Sequence, residues 1–355
     1  MNLSKKQLLF LPACACEPTY NAGMNDAPTP TPHLFARLEP TMVLDALESL
    51  GLYSDGRLLA LNSYENRVYQ VGMEQGAPVV VKFYRPNRWS NAAILEEHAF
   101  VGELAAQEVP VVAPLEIAGC TLHEFQDFRF TVFPRQGGRT PELEDPATLE
   151  WIGRFMGRIH ALGQRTRYRE RPTLDLHTFG EAARDYLLEN DFIPSDLRPV
   201  WESVVNQALQ GVRHAYDRAG EIQLLRLHGD CHSGNLLWTD QGPHFVDFDD
   251  SRMGPAIQDL WMLLSGERTD MSRQLADVLA GYEDFCEFNA RELHLIEALR
   301  TLRLIHYSAW LASRWDDPAF PAAFPWFGTQ RYWQDRILEL REQIPLMEEA
   351  PLWPA

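Results

Sequence analysis

The stretch His228-Gly229-Asp230-Cys231-His232-Ser233-Gly234-Asn235, followed twelve residues after its asparagine by Asp247-Phe248-Asp249, constrains this chain more than any other. A carboxylate, an amide and a second carboxylate at this spacing can converge only if the backbone between them doubles back. Residues 235–238 and 244–247 read as two short strands, with Asp240-Gln241-Gly242-Pro243 as the turn. Such a set suits phosphoryl transfer from ATP, in which a protein mainly positions the nucleophile and holds Mg²⁺ against the phosphates. Asp230 is the candidate base, and Asn235 and Asp247 are the candidate Mg²⁺ ligands. Asp247 ends the apolar pair Phe245-Val246, where a charge needs a metal or a partner. Asp249 reads either as a supplement to that metal site or as a turn former.

The preceding half of the chain supplies the remaining parts. An amphipathic segment from Thr41 to Gly51 predicts a helix, and residues 58–61, 67–71 and 78–84 predict three strands. The last strand carries Val79-Val80-Val81 and ends near Lys82, the expected phosphate anchor. Residues 90–106 predict a helix on which Glu97 shares the apolar face of Ile94, Val101 and Leu104, while Glu96 faces solvent. A carboxylate on an apolar face needs a cation, and Lys82 is the expected partner of Glu97. The Asn62-Ser63-Tyr64-Glu65-Asn66-Arg67 link joins the first two strands, where a kinase folds a glycine-rich loop over the phosphates. It contains no glycine, yet Ser63 and Asn66 can donate side-chain hydrogen bonds, and Ser63 is expected near the ATP phosphates. Residues 111–119 and 129–133 are expected to complete a small, mainly antiparallel sheet.

Pro134-Arg135-Gln136-Gly137-Gly138 then breaks the pattern and reads as an interlobe hinge. Beyond it the chain reads as helical over 147–162, 178–190, 196–219, 255–265, 271–287, 291–313 and 329–347. The expected organisation is a leader over 1–32, an ATP-binding lobe over 33–134 and a helical catalytic and substrate lobe over 135–355. Asp259 is expected to cap backbone amides of the 228–235 loop, His228 to bond backbone around it, His160 to lie in the core, and Cys231 to fill a buried space.

Composition excludes several classes. A formal net charge of -18 argues against a nucleic-acid backbone as partner. No run of 18 apolar residues is present, so no membrane span is expected. The apolar stretch after Lys5-Lys6 is short and interrupted by Pro12, unlike a secretory signal. The residues through Pro32 are expected to be a loose leader, with the physiological start expected at either Met24 or Met42 if that leader is not part of the protein. The five cysteines include no Cys-x-x-Cys pair, which predicts reduced thiols, and Cys14-Ala15-Cys16 has no accompanying zinc ligands. A cytoplasmic monomer is the expectation.

The string from His228 to Asn235, Asp247, Gly254-Pro255 and Asp259-Leu260 resembles the aminoglycoside phosphotransferase and choline kinase branch of the protein-kinase-like fold. Residues 61–69, 81–86, 227–232 and Asp316-Asp317-Pro318-Ala319-Phe320-Pro321 resemble more closely the bacterial stress response kinase A family. The resemblance begins near His33. It implies an α+β fold with a small antiparallel β-sheet N-lobe and a mostly helical C-lobe. It also implies an ATP- and Mg²⁺-dependent serine/threonine protein kinase of the stress response, with Asp230 as proton acceptor, Asn235 and Asp247 on Mg²⁺, and Ser63 in the ATP site. Only eleven residues separate Asp247 from Asp259, which leaves no place for a phosphorylated activation segment.

Protein hydroxyls are the acceptors that the resemblance implies. The local motif alone fits equally a small-molecule kinase acting on a choline-, aminoglycoside- or homoserine-like hydroxyl. A catalytically dead ATP-binding scaffold is disfavoured, because Lys82, Asp230, Asn235 and Asp247 are all present.

Overall fold

The computed structural model describes Phe35 and residues 37–354, so the 1–32 leader, Cys14 and Cys16 lie outside the described residues. Helix α1 (Pro40–Glu48) precedes strands β1 (Ser54–Leu61), β2 (Arg67–Met73) and β3 (Val79–Phe83). Helix α2 (Asn91–Ala106) follows, and β4 (His123–Phe125) and β5 (Phe128–Pro134) complete an antiparallel sheet in the order β1-β2-β3-β5-β4. The β-branched run in β3 makes the centre of this sheet. Val81 pairs with Tyr69 on one side and Val132 on the other, and it is fully buried with Phe83, Phe130, Val132 and, from α1, Val43 and Leu47.

One expected strand is absent. Residues 111–119 form only isolated bridges, and the fifth strand of the sheet is β4 instead. Prolines explain this: Pro110 and Pro114 have no N–H to give to a ladder, so the segment cannot be zipped along its length. It serves as a link between the two halves. The Leu115 amide donates to the Val132 carbonyl of β5, and the Val112 amide donates to the carbonyl of Phe245 in the helical half.

The helical half comprises α3 (Pro146–Gly163), α4 (Ala182–Glu189), α5 (Arg198–Ala219), α6 (Ile257–Trp261), α7 (Arg268–Tyr282), α8 (Ile296–Ala312), α9 (Ala319–Ala323) and α10 (Gln330–Glu348). Asp145 caps α3 by accepting from the Thr148 amide, and Pro146 sits in the first turn, where it costs no hydrogen bond. Helices α3 and α7 approach so closely that a Cβ at Gly281 would overlap the Glu150 carbonyl. Inserted in this half are the short strands β6 (Leu225–Arg226), β7 (Leu236–Thr239), β8 (Gly242–Phe245) and β9 (Met253–Gly254), with β7 and β8 forming the expected hairpin and β6 pairing with β9. Among the described residues no helix is long and apolar enough to cross a membrane.

The C-terminal half of α2 belongs to the large helical core: Phe100, Val101 and Leu104 are buried with Ile152, Met156 and Phe248. Helix α2 therefore couples the sheet to the helical half. Its N-terminus is capped by Ser90, whose hydroxyl accepts from the Ala93 amide.

Candidate active site

The loop from Leu227 to Asn235 runs from β6 to β7 and is held from beneath. Asp259 on α6 is fully buried and accepts from the amides of His228 at 2.8 Å and Gly229 at 2.9 Å, which realises the expected cap. His160 is buried as expected, but it also meets Asp259 through Nε2 at 3.1 Å and Tyr282 Oη through Nδ1 at 3.0 Å. Gly229 has φ +90°, and a Cβ there would overlap the Asp250 carbonyl, so the turn needs glycine on two counts. His228 Nε2 lies 2.9 Å from the Val246 carbonyl, tying this loop to the segment that leads from β8 to Asp247. Cys231 is fully buried beside Met156, and burial pushes its thiol well above the usual range.

The β7–β8 hairpin brings the distant members of the motif together. The Val246 amide donates to the Asn235 carbonyl, and Asn235 Nδ2 donates to the backbone carbonyl of Asp230 at 2.9 Å. With its nitrogen so committed, the Asn235 amide presents its oxygen as the free end. Asp247 stands in a left-handed conformation at φ 62° with its side chain half exposed, and its Oδ1 takes Lys82 Nζ at 3.1 Å. Asp230 accepts from Arg303 Nη1 at 2.9 Å and faces His232 Nε2 at 3.4 Å. Burial favours the neutral acid, but Arg303 and His232 outweigh it and hold the carboxyl far below its ordinary range.

Lys82 is buried on β3 and meets Asp247 and, at 3.3 Å, Asp249. Burial opposes its charge, yet those two carboxylates raise its pKa well above the lysine value. The expected direct Lys82–Glu97 pair is not what forms. Glu97 is buried as its helical position predicts, but its ion pair is with Arg171 Nη2 at 3.3 Å. Arg171 also donates to the carbonyls of Ala93, Asp249 and Ser251, a spread that the planar five-donor guanidinium can span and an ammonium cannot. Glu97 still supports the Lys82 charge through the field. Glu96 is likewise not simply solvated: its carboxylate accepts the amides of Arg169, Glu170 and Arg171 and so fixes the loop that delivers Arg171.

Asp249 is buried with Lys82, Arg88 and Asn66 Nδ2 as partners and is the counter-ion to Lys82 and Arg88, while its Oδ1 meets Lys82 as an ion pair and has no hydrogen-bond donor. Burial raises its pKa and Arg88 and Lys82 lower it, with a net result well below the usual carboxylate range. Asn66 Oδ1 accepts the Arg85 amide, and the Asn66 amide donates to Ser63 Oγ at 3.4 Å, which sets the glycine-free turn between β1 and β2. Glu65 in that turn binds Trp310 Nε1 and Arg314 of the helical half, and Asp317 binds Arg67 and Arg85. The turn is thus clasped from the opposite side, a role for Glu65 and Asp317 that their local sequence pattern does not reveal.

A second support lies under α6. Glu292, 2% exposed, accepts the Ile257 amide at 2.9 Å and so holds the first turn of the helix that carries Asp259. Burial pushes its carboxyl up to about 7 from an ordinary 4.5. The folded chain therefore keeps a proton between those values that the unfolded chain has lost, and stability falls as pH rises through that window, by roughly 3 kcal/mol. Glu292→Gln is expected to flatten this slope, measured as urea midpoints from pH 5 to pH 8. A wild-type midpoint that rises over that range relative to Glu292→Gln would contradict the assignment.

Among the described residues no three His, Cys, Asp or Glu side chains group into a self-sufficient metal site. The hard oxygens of Asn235 and Asp247 nevertheless fit Mg²⁺, which commonly takes one or two protein oxygens and completes its shell with waters and substrate phosphates.

A small antiparallel sheet bearing a buried lysine, set against a helical half bearing this loop and hairpin, defines a two-lobed, kinase-like phosphotransferase. A profile of the phosphotransferase enzyme family matches residues 57–296. The chain belongs to that family and, within it, to the stress response kinase A group. It is 44% identical over 318 residues to stress response kinase A of Escherichia coli (strain K12), covering 90% of this chain and 96% of the relative. The serine/threonine protein kinase RdoA of Salmonella typhimurium (strain LT2) matches with the same identity and coverage. The fold is shared with amicoumacin kinase solved with AMP-PNP and Ca²⁺, at TM-score 0.68 and 20% identity over 88% of this chain and 95% of that one. It is shared also with a microcompartment-associated aminopropanol kinase, at TM-score 0.63 and 20% identity over 86% and 96%.

Proposed function

We propose that this chain is a cytoplasmic, ATP- and Mg²⁺-dependent serine/threonine protein kinase of the bacterial stress response. The observation that carries the reading is that Asp230, Asn235, Asp247 and Lys82 are joined by the hydrogen bonds of the hairpin and one ion pair, in a chain 44% identical to relatives named as stress response and serine/threonine kinases. Asp230 accepts the hydrogen bond, and then the proton, of an acceptor hydroxyl. The hydroxyl oxygen bonds to the γ-phosphorus as the bond to the bridging oxygen of ADP breaks. Asn235 and Asp247 would hold Mg²⁺, which when bound offsets charge on the phosphates. Lys82, kept charged by Asp249 and Asp247 with Glu97 behind them, faces the phosphates, and the Ser63 turn covers them.

A second reading, a small-molecule kinase, is favoured by the acceptors named for the structural neighbours, amicoumacin and aminopropanol. The two separate in one experiment. Full-length protein with Mg²⁺ and γ-labelled ATP is given a mixture of proteins or, in parallel, choline, homoserine and aminopropanol. Label on serine or threonine of protein is expected; rapid turnover of an amino alcohol with unlabelled protein would overturn the reading.

A further inference from the structure

We infer that Arg303 is a specificity-determining residue that selects acceptors bearing negative charge next to the reacting hydroxyl. The inference rests on the phosphoryl-transfer reading and on Asp230 as the group that the acceptor meets. Arg303 projects from α8, the helix that also sends Trp310 towards the β1–β2 turn. Its Nη1 donates to Asp230 Oδ1 at 2.9 Å, and among the described residues this is its only ion pair.

An arginine enclosed and saturated by the fold has no donor left for a ligand. Arg171 is such a case, with a fully buried side chain and four protein acceptors. Arg303 differs on both counts. Its side chain is 45% exposed and uses one of five N–H donors. The remaining donors flank the carboxylate at which an acceptor hydroxyl has to arrive.

The neighbouring arginines are already answered. Arg88 meets Asp249 and Asp250, Arg252 meets Asp250, Arg314 meets Glu65, and Arg85 meets Asp317. Arg303 shares its only carboxylate with the reacting hydroxyl, so its charge acts on whatever flanks that hydroxyl. A carboxylate there gains a charge-assisted hydrogen bond from the open guanidinium. An ammonium there meets a fixed like charge. The net charge of -18 draws cations from a distance, and the charge of Arg303 acts in the opposite sense at the hydroxyl itself.

The test uses full-length protein and two peptides with one identical serine, flanked by glutamates in one and by lysines in the other. Wild type is expected to prefer the acidic peptide by roughly two- to fivefold in kcat/KM, mostly through KM, the size of a partly exposed charge contact. Arg303→Ala should bring the ratio near one, Arg303→Lys should restore most of it, and Arg303→Glu should invert it, all at unchanged KM for ATP. Equal or inverted wild-type use of the two peptides, or a preference that survives Arg303→Ala, overturns the inference. So does a raised KM for ATP with an unchanged peptide ratio, which would put Arg303 on the nucleotide. If neither peptide nor protein is labelled while small hydroxyl compounds are, the protein-kinase reading fails separately. The charge preference is then measured between glycerate and aminopropanol: a wild-type preference for glycerate that Arg303→Glu inverts supports the role of Arg303, and one that survives Arg303→Ala overturns it.

Discussion

Asp230→Ala is expected to lower kcat by roughly 10²–10⁴-fold, the range that a positioned general base contributes, while ATP affinity stays within a few-fold of wild type. Two features make the effect local. The hydrogen bond that fixes Asn235 goes to the Asp230 backbone carbonyl, so the alanine variant keeps it and with it the metal-facing amide oxygen. The cation left behind, Arg303, is nearly half exposed and can be hydrated at small cost. Single-turnover labelling with saturating ATP reads the chemical step, and equilibrium titration with a fluorescent ATP analogue reads binding. A variant that keeps more than a tenth of the wild-type rate would remove Asp230 from the role of base. Loss of nucleotide binding in parallel would instead mean that the loop had collapsed.

What could be read from the sequence follows chain distance. Asp230, Asn235 and Asp247 are joined by one hairpin, so spacing alone constrains their meeting, and Asp259 lies only twelve residues beyond Asp247. The inward face of Glu97 was likewise legible, because a helix converts spacing into direction. Its partner was not. Arg171 is 74 residues away in an irregular loop, and the nearer Lys82 is an adequate cation by pattern, although Asp247 and Asp249 hold it in the fold. Arg88 and Arg303 reach the site across 161 and 73 residues, and nothing in their local pattern marks them. The misplaced strand at 111–119 had a different cause. Its valines and isoleucine gave a strand-like composition, while Pro110 and Pro114 forbade the ladder, and the three-residue β4 was too short to show a period.

Asp259→Ala is expected to destabilise the fold by about 3–5 kcal/mol, the scale for removing one member of a buried charged network. Three donors lose their acceptor at once: the amides of His228 and Gly229 and Nε2 of His160, at a site with no exposure to water. Each buried donor left unsatisfied costs about 1–3 kcal/mol, and the alanine also leaves a small void. Asp259→Asn keeps one acceptor oxygen and turns the other into a donor that confronts an amide or His160, so its loss should fall between wild type and alanine. Urea midpoints rank the three proteins. Hydrogen exchange should show the deficit first at the amides of residues 228 and 229, before the sheet formed by β1 to β5 is affected. Because Gly229 is confined by the Asp250 carbonyl, a loop released from Asp259 cannot drift without disturbing the segment that presents Asp247. Activity should therefore fall in Asp259→Asn at temperatures where its fold is intact. Full activity in a folded Asp259→Asn protein would show that the loop holds its shape without this anchor.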